Sequence, residues 1–243
     1  ICLGITTLSG CGGSSDSKQP IVEPPVVPPL QTVTPPEAKS DYIGFESAPV
    51  RPIAMTDDGK TLLVTNTSNN RLEVFSIDSQ GDANFEQSID VGLEPVAVAI
   101  SDNQAWVVNH LSDSISVIDM QSSPMRVIRT LLVGDEPRDI IFAKGKAFIT
   151  TAHRGQQRMN PAIADIEGTG DPKLHTPSID RADIWVFNQD ELGDALGGKP
   201  IKVISLFGDT FRGLALSLDK KTLYAGVLNS GNQTTAVHES VMC

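Results

Sequence analysis

Leu62-Leu63-Val64-Thr65-Asn66-Thr67-Ser68-Asn69-Asn70-Arg71-Leu72-Glu73-Val74-Phe75 and Trp106-Val107-Val108-Asn109-His110-Leu111-Ser112-Asp113-Ser114-Ile115-Ser116-Val117-Ile118-Asp119 are one pattern written twice. Each copy is an apolar run ending in asparagine, a polar turn, and a run that alternates apolar with polar. A period of two puts the apolar side chains on one face of a strand. Working outward, Arg51-Pro52-Ile53-Ala54-Met55 precedes the first copy and Glu94-Pro95-Val96-Ala97-Val98 the second. Glu136-Pro137-Arg138-Asp139-Ile140 opens a third unit, and the three prolines are separated by 43 and 42 residues. Phe211-Arg212-Gly213-Leu214-Ala215 opens a fourth.

A fixed period of this length decides the architecture before any single motif does. Apolar strands are expected at 61–66, 104–109, 146–151 and 222–227. The first two are introduced by the turn formers Asp57-Asp58-Gly59-Lys60 and Ser101-Asp102-Asn103, which signal hairpins. Outer strands fit residues 85–91 and 126–133. Each period thus carries about four short antiparallel strands, the make-up of a propeller blade. A lone blade cannot cover both its faces, so blades stack around an axis. The fold class expected is all-β, a β-propeller of four-stranded antiparallel blades over residues 42–243, with about four blades present.

The two quoted stretches resemble the YVTN repeat family in the order strand, T-N or V-N, polar turn, strand. The resemblance runs from about residue 42 to the end and is weakest at Leu223-Tyr224-Ala225-Gly226-Val227-Leu228-Asn229. It implies a ring of about seven blades, of which this chain supplies part. It also implies the company of lactonases and of larger proteins that join propellers to c-type haem domains. No C-x-x-C-H occurs here, so any haem would lie on another domain or a partner.

The front of the chain has a different character. Residues 1–10 carry no charge and are too few to span a bilayer. They read as the end of a secretory leader shortened at its front. Leu8-Ser9-Gly10-Cys11 resembles the bacterial lipobox, which implies cleavage before Cys11 and lipidation of its sulfur. Residues 11–41 are Gly/Ser-rich and then proline-rich, an extended tether without a core. Gly12 follows Cys11 where many inner-membrane lipoproteins carry aspartate, so the resemblance favours the outer membrane. With both ends cut in this way, the sequence reads as a fragment of a lipid-anchored envelope protein.

A net charge of −11 opposes binding to phosphate backbones, and nucleic acid is not an expected partner. There is no G-x-S-x-G and no G-x-x-x-x-G-K-[ST], so hydrolase and nucleotide readings lack a motif. The unusual feature is an insertion of about thirty residues, 154–181, in the third unit. Long loops on a rigid scaffold carry function. The candidate binding loop comprises His153, Arg154, Asp165, Glu167, Asp171 and His175, against the alternative of a solvated loop. Asp165, Glu167 and Asp171 offer oxygen ligands to Ca²⁺ without the order of an EF-hand. His110, His153, His175 and His238 show no metal-ligand spacing. Catalytic residues are not identified. The leading expectation is a binding or scaffold module for a protein or small-molecule partner; the alternatives are a lactonase-like periplasmic enzyme or the propeller of a larger haem protein.

Overall fold

The structure is a computed structural model that describes residues 48–173, 176–208 and 210–228. Cys11, the tether, His175, His238 and Cys243 lie outside the described residues. The fourteen strands of the described residues form three four-stranded antiparallel sheets and one two-stranded sheet.

The first blade is β1 (Ile53–Met55), β2 (Thr61–Asn66), β3 (Arg71–Ile77) and β4 (Ala83–Asp90). The second is β5 (Pro95–Ser101), β6 (Gln104–Asn109), β7 (Ser114–Asp119) and β8 (Arg126–Leu132). β9 (Pro137–Ala143), β10 (Lys146–Thr151), β11 (Ala182–Asn188) and β12 (Lys202–Leu206) make the third, and β13 (Phe211–Leu216) with β14 (Leu223–Val227) begins a fourth. Within every sheet the strands lie in chain order. Short turns return most strands beside the one before, and β10 and β11 pair in the same order across the much longer connection between them.

Three apolar clusters correspond to the three interfaces between successive blades. Leu63, Leu72 and Val74 of the first blade meet Val98, Ala105, Val107 and Ile118 of the second. Trp106, Val108, Ile115 and Val117 point the other way and meet Ile140, Ile149, Trp185 and Phe187 of the third. Ala182, Ile184 and Val186 then meet Phe211 and Leu214. The alternation in β6 therefore serves two interfaces, Ala105 and Val107 on one side, Trp106 and Val108 on the other. This is why β6 and β7 are buried nearly throughout, as strands covered on both faces must be.

Turn length varies between blades. Between β9 and β10, Lys144 (φ 50°) and Gly145 (φ 71°) form a two-residue turn with both residues left-handed, the type I′ geometry that matches strand twist. The first and fourth blades use a longer turn. Thr56 Oγ1 donates to Asp58 Oδ1, which also accepts the Lys60 amide (2.6 and 3.1 Å). Ser217, Asp219 and Lys221 repeat this set at 2.6 and 3.1 Å.

The longer turn shifts the inner strand. The Thr65 amide donates to the Pro52 carbonyl (2.9 Å), whereas Pro95 pairs with Asn109, the counterpart of Asn66. The prolines that mark the sequence period therefore do not occupy the same place in the first two blades. On the inner side the blades are also stitched together. Val98 N donates to Arg51 O (2.8 Å). The Arg51 guanidinium reaches buried Asp139 on β9 (3.1 and 3.3 Å) and the Leu214 carbonyl on β13 (3.3 Å). Asp139 accepts the Leu214 amide in turn (2.8 Å). One carboxylate thus joins three blades.

Candidate functional site

The connections β2–β3, β6–β7 and β10–β11 lie on one face, together with the loops that lead into β5 and β9. A repeated contact fixes their geometry. Asn70, left-handed at φ 58°, accepts the Glu94 amide through Oδ1 at 2.9 Å. Asp113, at φ 50°, accepts the Glu136 amide at 2.9 Å. Asparagine and aspartate tolerate this backbone and bond locally, which is why they occur there. Thr67 and His110 repeat a second contact, reaching the carbonyls of Pro95 (2.8 Å) and Pro137 (3.2 Å).

Carboxylates and histidines from two blades gather at this face. Burial pushes the Asp113 carboxyl above the ordinary carboxylate range, and the Glu136 charge adds to that. Burial raises Asp135 as well, reinforced by Asp113 and Glu136 and opposed by His153. His153 Nε2 lies 3.9 Å from Glu136 Oε2. His110 is fully buried, with Nδ1 toward the Pro137 carbonyl and Nε2 without a hydrogen-bond partner.

In the third blade the β10–β11 connection becomes the insertion. Register places Thr151 opposite Asp183 as Asn109 is opposite Ser114, so Ala182 stands where the other blades have Asn70 and Asp113. The third blade has no capping carboxyl or amide there, and the chain instead folds into a small lobe. Short 3₁₀ turns run Gln156–Met159 and Pro161–Ile163, the second capped by Asn160 Oδ1 on the Ala162 amide (3.0 Å). Ile163 is buried in the cluster between the second and third blades, with Ile166 packed beside it. Two glycines allow the lobe to sit close. A Cβ on Gly155 would stand 1.7 Å from Asp135 Oδ1, and one on Gly168 (φ +90°) 1.9 Å from the Val203 carbonyl.

Beneath the lobe lies an ionic cluster. Asp183, 0% exposed, accepts Arg158 Nη1 at 2.5 Å and Ser205 Oγ at 2.6 Å, with Arg154 Nε 3.5 Å away. Arg154 also donates to Ser205 Oγ (3.0 Å) and the Pro172 carbonyl (3.3 Å). Arg154 and Arg158 are only 8% and 4% exposed. Burial pushes the Asp183 carboxyl up against the pull of Arg158, Ser205 and Arg154. Burial likewise lowers Arg158, against the attraction of Asp183. Arg154, Arg158, Thr169, Lys173, Asp180 and Ser205 line a cleft of about 560 Å³, a volume in the range of small-molecule sites.

The sequence-derived candidates separate into two groups. Arg154 enters the cluster, Asp171 lines the same cleft, and His153 joins the carboxylates at the blade mouth. Asp165 and Glu167 face outward to Lys199 (2.9 Å) and Lys202 (2.7 Å). Asp171 Oδ1 accepts the Lys173 amide (2.8 Å). Asp165, Glu167 and Asp171 thus turn to separate partners, and among the described residues no group of three or more His, Cys, Asp or Glu is placed to hold a metal ion. Arg158 lies within the insertion and Asp183 just beyond it, and neither is among the sequence-derived site residues. The available signal was a single carboxylate in the otherwise apolar run Ala182-Asp183-Ile184-Trp185-Val186-Phe187.

No protein-family model and no curated protein matches the chain. Solved structures do match. Hydrazine synthase of Kuenenia stuttgartiensis is similar over 76% of this chain and 45% of its own, with 22% identity and a TM-score of 0.51. A putative 6-phosphogluconolactonase of Bacteroides uniformis is similar over 74% of this chain and 51% of its own, with 13% identity and a TM-score of 0.51. The WD40 β-propeller domain of Doa1 is similar over 74% and 47%, with 12% identity and a TM-score of 0.44. The chain spans about half the length of these proteins. Its radially stacked antiparallel meanders are β-propeller blades, and the chain is part of a β-propeller.

Proposed function

We propose that this chain is the propeller of a lipid-anchored envelope protein and binds its partner through the third-blade insertion. One observation carries the binding role: the insertion is a packed lobe with a charge-lined cleft, rooted in the β10–β11 connection and docked along β12. A solvated loop has no reason to bury an isoleucine and two arginines, since burying charge costs free energy unless each is paired. The anchoring rests on Leu8-Ser9-Gly10-Cys11 and the proline-rich run behind it. Membership of the YVTN family rests on residues 62–75 and 106–119, and a ring of about seven blades, with an outer-membrane site, follows from those resemblances. A protein or small molecule is the partner, and nucleic acid is disfavoured by charge.

Replacing residues 155–180 with a short turn, in a chain shown to stay folded by circular dichroism, should abolish partner capture from envelope extract. If every interaction detected with the intact chain survives, the role given to the insertion is wrong. For the anchor, Cys11→Ser should remove lipid labelling and membrane association, and a serine variant that still labels would refute lipidation there.

A second reading is favoured by the carboxyls that gather at the mouth from different blades. Asp113 and Asp135 hold protons more tightly than ordinary carboxyls, a tuning that suits general acid–base work. Lactone hydrolysis lost in Asp135→Asn with partner capture intact would favour an enzyme.

A further inference from the structure

The cleft under the lobe has a chemistry of its own. We infer that Arg154 and Arg158 form the floor of a receptor site for a small oxyanion, a carboxylate or phosphate group on a small-molecule ligand. This inference rests on the binding role assigned to the insertion and names what would bind there.

The argument begins with the donors. A guanidinium carries a planar fork of N–H groups and no acceptor, a shape that matches carboxylate and phosphate oxygens. Arg158 has one side-chain acceptor, Asp183 Oδ2. Arg154 has the Pro172 carbonyl and Ser205 Oγ. Arg154 Nε faces Asp183 Oδ1 at 3.5 Å, and the Nε of Arg158 is buried with no hydrogen-bond partner. Two cations therefore share one buried carboxylate, and the floor of the cleft is positive in a protein whose net charge is −11. Both residues are more than nine-tenths buried and line the cleft. The edges of the two guanidiniums that line the cleft offer N–H donors to an acceptor entering it, and one shared carboxylate leaves the pair short of negative charge.

The rim sorts what enters. Lys173 stands there with Asp171 and Asp180, and Asp171 is turned in part to the Lys173 amide. The rim carboxylates repel densely charged polyanions, so a single oxyanion group on a compact molecule suits the site better than a nucleic acid or a polyphosphate. The floor is held from below by Ser205 Oγ on Asp183 (2.6 Å), so the arginines are aligned before a ligand comes, and alignment in advance lowers the cost of binding.

The test uses the full chain and two probes, inorganic phosphate and succinate, titrated by calorimetry at ionic strength held constant with sodium chloride. At least one should bind, raising the melting temperature as it does. The paired substitution Arg158→Gln with Asp183→Asn removes a cation without leaving its partner carboxylate buried and charged, and should weaken binding about tenfold or more. Lys173→Ala, an exposed change at the rim, should weaken it by about twofold to fivefold without altering the fold. The stronger of the two probes tells whether the natural ligand offers phosphate or carboxylate. The inference is overturned if neither probe binds the wild-type chain beyond the chloride control, or if both substituted chains bind as tightly as wild type. Because the purified chain alone is titrated, this result and the partner-capture result fail separately.

Discussion

Replacing Asp183 by asparagine is the most direct probe of the third blade. In the wild-type chain this carboxylate takes hydrogen bonds from Arg158 and Ser205 and stands 3.5 Å from Arg154 Nε. Asparagine has nearly the same volume, so packing of β11 is kept and only charge and one acceptor are lost. What remains is two guanidiniums in like-charge contact with no counter-ion beneath them. Removing one partner of a buried ion pair costs roughly 3–5 kcal/mol. The adjoining cleft lets water reach the exposed edges of both arginines, which argues for the lower end, about 3 kcal/mol. For a domain of this size, about 2–4 °C of melting temperature corresponds to each kcal/mol, so a drop of about 6–12 °C is expected. Calorimetry at neutral pH reads it, and the fluorescence of buried Trp185, two residues along the strand, reports the same transition. The double change with Arg158→Gln should recover part of the loss. A single-variant loss below about 1 kcal/mol, or a double variant no better than the sum of the singles, would refute the assignment of Asp183 as the anchor of the lobe.

Three further outcomes follow from the geometry. Asp139→Ala removes the acceptor shared by Arg51 and the Leu214 amide; Arg51 can turn to water, so the loss should be about 2 kcal/mol, with hydrogen exchange at Leu214 accelerated, and unchanged exchange there would contradict the three-blade link. Gly168→Ala puts a Cβ 1.9 Å from the Val203 carbonyl at φ +90°; it should cost about 2 kcal/mol or more and make residues 155–180 far more sensitive to limited proteolysis, and an unaltered digestion pattern would count against the close docking of the lobe. Asp135→Asn bears on pH. A carboxyl whose folded pKa is raised binds its proton more tightly when folded, so its contribution to stability grows as pH falls from the raised folded value toward the ordinary carboxylate range, and levels off below that range. Asp58, Asp78, Asp165 and Asp219 are lowered and work in the opposite sense. The difference between wild type and Asp135→Asn isolates the residue: the variant should be the more stable at neutral pH and the gap should close on acidification, and a gap that widens would reverse the sign assigned.

The repeat and its strands were legible because each blade face is apolar at every second residue. Strands β2, β6 and β10 lie where the apolar runs placed them, and the outer strands fall within two residues of expectation. The inner strands were harder. Asp57-Asp58-Gly59-Lys60 closes a longer turn than Asp102-Asn103, so the prolines that mark the sequence period sit differently in the first two blades. Nothing in a repeat of letters carries that slip. The Arg51–Asp139 link joins residues 88 apart, and only stacked blades bring them together. The insertion was legible as an excursion and as a cluster of charges. Its packing was not, since Ile163 and Ile166 are too few to make a period. Nor was its pairing, because Asp183 belongs to a strand and Arg158 to a turn.

The place of Asp183 in the repeat explains how a blade accommodates such a lobe. By register it matches Arg71 in the first blade and Ser114 in the second. All three are polar, and each is used differently. Arg71 pairs with Asp90 at the surface (2.9 Å). Ser114 meets Asn109 within the blade (3.2 Å). Asp183 holds Arg154 and Arg158 of the insertion. A position at the loop end of the third strand that never served the apolar interface was thus open to charge, and the lobe and its anchor form one unit. The two are then coupled in a definite way. Asp183→Ser alone should destabilise by about 3 kcal/mol, as it strands two buried arginines. The same serine in a chain whose residues 155–180 are replaced by a short turn, as in the second blade, should cost about 1 kcal/mol or less, since Arg158 is gone with the insertion, Arg154 loses its cover at Pro172 and can turn to water, and serine already serves this position in Ser114. Denaturant melts of the four chains give the coupling. Equal cost of the serine with and without the insertion would show that Asp183 supports the blade itself and not the lobe.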